Sequence, residues 1–241
     1  MTLTVVLVGA PNLRWPIVSL KVKIESDTNL HVDMDNVANA CALSEVWFSE
    51  SGQIEDLVVV EVSEGLGTGI FVNGAIARGK HGMAGEFGHI QMVDDGSQCN
   101  CGNYGCWETL ASNSAALRFY SEMPGAQKHI TFSKLLRLAL VQDRAAVAAL
   151  KSMAENLGRG MRMIAAALSP SEIVVVGEIT EAWHQIGQIV EAEMKQHTLA
   201  RTVRLRPAYD GASARLRSAG ALVFAASFRK VDVRWLTQSS N

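Results

Sequence analysis

From Leu57 onward the chain alternates between short continuous apolar runs and longer stretches with apolar residues at every third or fourth position. Leu57-Val58-Val59-Val60-Glu61-Val62, the glycine loop Gly65-Leu66-Gly67-Thr68-Gly69 and Ile70-Phe71-Val72-Asn73-Gly74 predict a β-hairpin whose tight turn needs residues with positive φ. Ala75 to Asp95, rich in glycine and polar groups, reads as a working loop rather than packing material. Leu150, Met153, Leu157, Met161, Ile164 and Leu168 keep helical spacing and predict a long helix over 144–168 that stops at Ser169-Pro170. Ile173 to Val176 follows as an uninterrupted apolar run, the mark of a strand buried on both faces. Helix and strand patterns then alternate to Phe228, which predicts an α/β layered domain. Upstream, the pattern gives a strand at Thr4–Val8, a turn around Pro11 and Pro16, and a helix from Asn36 through Glu45. A chain that opens on an apolar strand without a preceding helix or cap reads as a truncated reading frame.

Composition narrows the classes. With 241 residues, 48% hydrophobic and 19% charged, the chain can build one large domain or two small ones, which excludes disorder and fibres. A net charge of -2 offers no basic surplus for nucleic acid, so DNA, if it is a partner, is bound by a segment absent from this chain. The N-terminus lacks the pattern of a secretory signal, and the expectation is a cytoplasmic protein. Ala219 to Phe228 is apolar for about half the ~20 residues that a membrane span needs, so no membrane is expected as a partner.

Three of the four cysteines fall within eight positions, and with His89 they form His89-x9-Cys99-x-Cys101-x4-Cys106. One imidazole and three thiolates are the soft tetrahedral set that zinc takes in closed structural sites. Gly102 and Gly105 stand where the backbone must curl to present two sulfurs to one ion. A disulfide and unlinked buried thiols stay open as other readings at this point. Cys41, outside the cluster on a helical pattern, reads as a small buried residue. Glu86 stands three residues before His89, so a carboxylate and an imidazole bound through one nitrogen could face one hydroxyl-rich ligand.

Val58 to Met92 (VVVEVSEGLGTGIFVNGAIARGKHGMAGEFGHIQM) and Cys99 to Ser112 (CNCGNYGCWETLAS) resemble the ROK (repressor, open reading frame, kinase) family. The likeness extends to Ala10-Pro11-Asn12-Leu13, to Asp35 through Ala40, and to Ala214 through Leu222. The resemblance implies an α/β, actin-like ATPase (ribonuclease H-like) fold, with residues 1–48 the remnant of a truncated first lobe and 49–241 a complete second lobe carrying the zinc loop. It implies structural Zn2+ on His89, Cys99, Cys101 and Cys106, and sugar contacts at Asn36, Glu86, His89 and Glu108. It also implies homo-oligomers.

Four departures separate the chain from the family's kinases. Val37 stands where they carry the aspartate base, and no Asp-x-Gly-Gly-Thr phosphate hairpin occurs in the sequence. Glu64 replaces a threonine before the glycine loop, where a carboxylate repels phosphate, and Glu178 replaces one of a glycine pair. Asp35 lies two positions before Val37 and is not expected to serve as a substitute base. No catalytic residue is therefore expected. The reading is a sugar-sensing effector domain of a ROK-type transcriptional regulator that binds a hexose or amino sugar without phosphorylating it. The alternatives are a fragment of an ATP-dependent sugar kinase and a remnant that binds neither ligand.

Overall fold

The structure of the protein, a computed structural model, describes residues 19–48, 54, 56–197 and 202–228. The strand expected at Thr4–Val8, the turn around Pro11 and Pro16, and the Ala10–Leu13 match lie outside the described residues. In chain order come α1 (Leu20–Thr28), α2 (Val37–Trp47), β1 (Leu57–Val62), β2 (Leu66–Val72), β3 (Ala75–Ile76), α3 (Glu108–Ala111), α4 (Asn113–Ser121), α5 (Phe132–Leu140), α6 (Arg144–Leu168), β4 (Glu172–Val176), α7 (Trp183–Lys195), β5 (Arg204–Pro207) and α8 (Ala214–Phe228). Among the described residues no helix is long and apolar enough to cross a membrane.

Among the described residues, five strands form one mixed sheet in the order β3-β2-β1-β4-β5, with β1 parallel to β4, β4 parallel to β5, and the β1–β2–β3 side antiparallel. Alternation along β1 explains its continuous apolar run. Val58, Val60 and Val62 enter the core shared with α6 and α7, while Leu57 and Val59 enter a second core with Cys41 and Ala42 of α2 and Ala214 of α8. A strand buried on both faces has no position to give to solvent.

Helix α6 spans the expected residues. The Asp143 side chain caps it by accepting from Ala146 N at 2.9 Å, and Ser169 ends it in the left-handed region (φ 44°) just before Pro170. Five of its six expected core residues are buried; Leu168 is 42% exposed, because it lies in the last turn, beyond the partners that cover the earlier ones.

The glycine loop differs from expectation. Leu66–Val72 is unbroken strand, and neither Gly65, Gly67 nor Gly69 has positive φ. The left-handed residues are Asn73 (φ 51°) and Gly74 (φ 74°), which make the next turn, between β2 and β3. Gly67 and Gly69 answer to packing instead, because the first turn of α2 rests directly on β2. A Cβ on Gly69 would stand 2.1 Å from the Ala38 carbonyl oxygen, and one on Gly67 3.4 Å from the Ala38 Cβ.

On the same face of the sheet, buried carboxylates join α2 and α8 to it. Arg206 of β5 binds Glu45 of α2 (2.8 Å) and Glu172 of β4 (3.0 Å), and Arg217 of α8 binds the other Glu45 oxygen (2.5 Å). Glu61 of β1 pairs with Arg215 of α8 at 2.5 Å, and burial raises its carboxyl above the usual range against the pull of Arg215. Cys41 is buried as expected, and burial pushes its thiol up to about 11. Gly69→Ala should lower unfolding free energy by about 1–3 kcal/mol by forcing α2 off the strand; urea denaturation followed by circular dichroism checks it, and an unchanged midpoint contradicts the contact.

Candidate functional site

The cysteine loop is a small hairpin closed by backbone. Cys99 N donates to Asn103 O (2.8 Å), Gly102 N to Cys99 O (2.9 Å) and Gly105 N to Ser97 O (2.9 Å). Gly102 (φ 95°) and Gly105 (φ 64°) take the left-handed conformations that such a curl requires, and a Cβ on Gly105 would strike the Val93 carbonyl oxygen at 1.9 Å. The hairpin lies against the strand-like segment after His89: Met92 N donates to Gly105 O (2.8 Å), and Trp107 N donates to Ile90 O (2.9 Å). Trp107, fully buried, anchors the far end. Its indole N–H donates to Asn156 O of α6 at 2.9 Å, and its ring lies so close to Gly160 that a Cβ there would come within 1.9 Å.

This backbone brings the four expected metal-ligating residues together. One donor atom from each of His89, Cys99, Cys101 and Cys106 lies within 4.8 Å of all the others. The Cys101 and Cys106 sulfurs are 3.7 Å apart, and the Cys99 sulfur is 3.5 Å from His89 Nδ1. Sulfurs about 2.3 Å from a tetrahedral ion stand about 3.8 Å from one another, so the set fits such an ion, whereas a disulfide needs about 2.05 Å. All four cysteines are free thiols, and the cluster could hold a metal.

With Nδ1 facing the sulfurs, His89 Nε2 faces Glu86 Oε2 at 3.7 Å. Both belong to a short 3-10 turn, Glu86–His89, seated on the β2 backbone: a Cβ on Gly85 would stand 2.5 Å from the Thr68 carbonyl oxygen, and one on Gly88 2.3 Å from that of Leu66. Thr68 Oγ1 donates to Gly85 O across the same contact. Glu108, only 8% exposed, begins α3; its Oε2 accepts from Leu66 N at 2.9 Å, and its Oε1 lies 3.6 Å from the Cys99 sulfur. Its pinning of β2 had no signal in the sequence, because the partner amide is 42 residues away.

Asn36 stands on a separate element, at the start of α2. It is the N-cap of α2, and its Oδ1 accepts from Ala38 N at 2.8 Å, which leaves Nδ2 as the donor it can offer. Asp35 is committed elsewhere: it accepts from Asn36 N (2.9 Å) and Asn39 Nδ2 (3.1 Å), and Arg78 binds its second oxygen. Arg78 was not anticipated from the sequence. Val37, at the position of the kinase base, is exposed and apolar.

Burial pushes the Cys99 thiol up to about 12, and burial with hydrogen bonding to Cys101 raises Cys106. Burial also opposes ionisation of Cys101, but the Asn103 backbone N–H and hydrogen bonds with Cys99 and Cys106 outweigh it, so Cys101 is lowered. Metal uptake therefore displaces protons from Cys99 and Cys106, and affinity should fall as pH falls. Titration with zinc in weak buffer at several pH values should show proton release and progressive loss of affinity toward acid; pH-independent uptake would contradict the thiolate set.

The sequence profile of the ROK family matches residues 4–226. The chain is 31% identical over 226 residues to a glucokinase of Halalkalibacterium halodurans, covering 88% of this chain and 66% of that protein. It is 36% identical over 179 residues to a xylose repressor of Caldicellulosiruptor bescii, covering 70% of this chain and 45% of the repressor. It thus spans about half to two thirds of the length of these relatives. Among solved structures, a ROK family glucokinase from Streptomyces griseus in complex with glucose and AMPPNP superposes with a TM-score of 0.82 at 29% identity, covering 91% of this chain and 76% of that one. The actin-like α/β fold expected from the motifs is the fold of these neighbours, and with regulators and kinases alike among its relatives, the chain belongs to the ROK family.

Proposed function

We propose that this chain is the sugar-sensing effector domain of a ROK-type transcriptional regulator, binding a hexose or amino sugar without phosphorylating it. The observation that carries the reading is the pairing of Glu86 Oε2 with His89 Nε2 at 3.7 Å on a turn whose other imidazole nitrogen faces the thiols. A donor and an acceptor held at that spacing suit one sugar hydroxyl that accepts from the ring and donates to the carboxylate. Zinc on His89, Cys99, Cys101 and Cys106 would supply rigidity to this wall and no chemistry of transfer. Asn36 Nδ2 and Glu108 are the further sugar contacts in this reading.

Transfer lacks its base, since Val37 cannot accept a proton and Asp35 is held by Asn36, Asn39 and Arg78. In the same reading residues 1–48 end a first lobe, residues 49–241 form the second, and DNA is contacted by a segment outside these 241 residues, consistent with the net charge of -2. Assembly into homo-oligomers belongs to the same reading. The kinase alternative is favoured by the likeness to the nucleotide-bound glucokinase.

Calorimetry with xylose, glucose, N-acetylglucosamine and N-acetylmannosamine should find at least one ligand, while a coupled assay with ATP and the same sugars shows no turnover. ATP consumption above background would replace the sensor reading with the kinase. Elemental analysis should give close to one zinc per chain. Cys101→Ser should lose the metal and weaken sugar binding at least about tenfold, because structural zinc contributes folding free energy to the loop; unchanged sugar affinity in a metal-free variant would separate the loop from the pocket.

A further inference from the structure

After β3 the chain follows one edge of β2 and meets three of its carbonyls at alternate positions. Ala77 N donates to Ile70 O at 2.8 Å, Gly85 lies against the Thr68 carbonyl, and Gly88 lies against that of Leu66. Alternate residues of a strand present their carbonyls along the same edge, so the segment from Ala77 to the Glu86–His89 turn is laid along β2. Between the first two anchors residues 79–84 swing away from the strand. Gly79 (φ 67°) and Gly82 (φ 74°) are left-handed, Met83 is 61% exposed, and Ala84 N donates back to Arg78 O at 3.1 Å. Arg78 stands at the neck of this excursion. Its carbonyl closes the neck, and its guanidinium reaches a different element.

That element is the start of α2. The Asp35 side chain is only 12% exposed, and both of its oxygens are used: Oδ1 accepts from Asn36 N at 2.9 Å and from Asn39 Nδ2 at 3.1 Å, and Oδ2 pairs with Arg78. Asn39 is itself buried and its Oδ1 has no hydrogen-bond partner, so the bond to Asp35 is what orients its amide. Asn36 is held from two sides, its backbone N–H by Asp35 and its Oδ1 by Ala38 N at 2.8 Å. The close approach of Ala38 to Gly69 sets how near α2 lies to β2. Steric contact of that kind carries little direction, whereas an ion pair and two hydrogen bonds on one carboxylate carry a great deal.

We infer that Arg78 is a positioning residue for the candidate sugar contacts: through Asp35 it clasps the start of α2, and with it Asn36, to the segment that ends in the Glu86–His89 turn. The inference rests on the sugar-sensing reading above. Removing the guanidinium leaves a largely buried carboxylate without its cation, and Asp35 then gains by turning toward water, which releases Asn36 N and Asn39 Nδ2. Asn36 Nδ2 loses its fixed direction as a result, while the backbone contacts of Gly85 and Gly88 with β2 keep the Glu86–His89 turn in place.

The test is calorimetric titration of the full chain with the four sugars named above, on wild type, Arg78→Ala, Arg78→Lys, Asp35→Asn and the double variant Asp35→Asn/Arg78→Ala, with zinc content and thermal melting measured beside it. Arg78→Ala and Asp35→Asn should each weaken the bound sugar at least about tenfold, the double variant should lose no more than about threefold beyond the weaker single, and Arg78→Lys should recover most of the loss. Zinc content should match wild type throughout. Wild-type affinity in Arg78→Ala overturns the inference, and so does a lowered melting temperature with unchanged affinity, which is the result of a role in stability alone. Losses that add in the double variant overturn it as well. Retained affinity in Asp35→Asn beside a loss in Arg78→Ala overturns it in favour of direct contact between the guanidinium and the sugar. Should Arg78→Ala melt below the titration temperature, Asp35→Asn decides, and wild-type affinity there overturns the inference. Each of these outcomes leaves sugar sensing intact, whereas absence of binding by every sugar in wild type overturns the sensing reading and this inference with it.

Discussion

The four residues of β2 from Leu66 to Gly69 are the point on which the candidate site hangs, because two separate segments meet their backbone at distances that exclude a side chain and a third is hydrogen-bonded to it. The first turn of α2 rests on Gly69, Gly85 meets the Thr68 carbonyl, and Gly88 meets that of Leu66. Glu108 takes the Leu66 amide. Asn36, Glu86, His89 and Glu108 lie within two residues of these contacts or make them, so one short strand sets their mutual placement. Glycine at three of these contacts is thus a steric condition for the candidate site and not a loop feature.

The cysteine hairpin is held from two sides, which suits a rigid wall. Backbone bonds join it to the segment after His89, and Trp107 joins it to α6 through the Asn156 carbonyl and the flat face that Gly160 leaves open. The helix that carries this anchor also covers one face of the sheet, so core packing and loop position are linked through a single fully buried indole. A metal would close the remaining side. Behind the sheet, the carboxylates of Glu45, Glu61 and Glu172 are buried against Arg206, Arg215 and Arg217, an arrangement in which losing an arginine leaves a carboxylate poorly solvated. Those pairs hold α2 and α8 against the sheet.

Relatives of this chain include a glucokinase and a xylose repressor, which use one fold for different ends. At the start of α2, Val37 is exposed and apolar, and the neighbouring Asp35 is bound by Arg78. His89 and Glu86 face each other on one short turn, and Glu108 is held at the backbone of β2.

By itself the sequence determined what is local or periodic. His89 to Cys106 spans 18 residues, so ligand type and spacing were legible before any long-range contact was known, and α6 and β4 followed from helical spacing and from an apolar run with no polar face. Tertiary structure alone decided the rest, because the partners lie far apart along the chain. Gly67 and Gly69 read as a turn until α2 was seen to rest on them, Glu61 sat unexplained in an apolar run until Arg215 met it, and Arg78 reached back 43 residues to Asp35. A pattern of residue types records which face is buried; which backbone or charge comes to lie against it is set by packing that no local window contains.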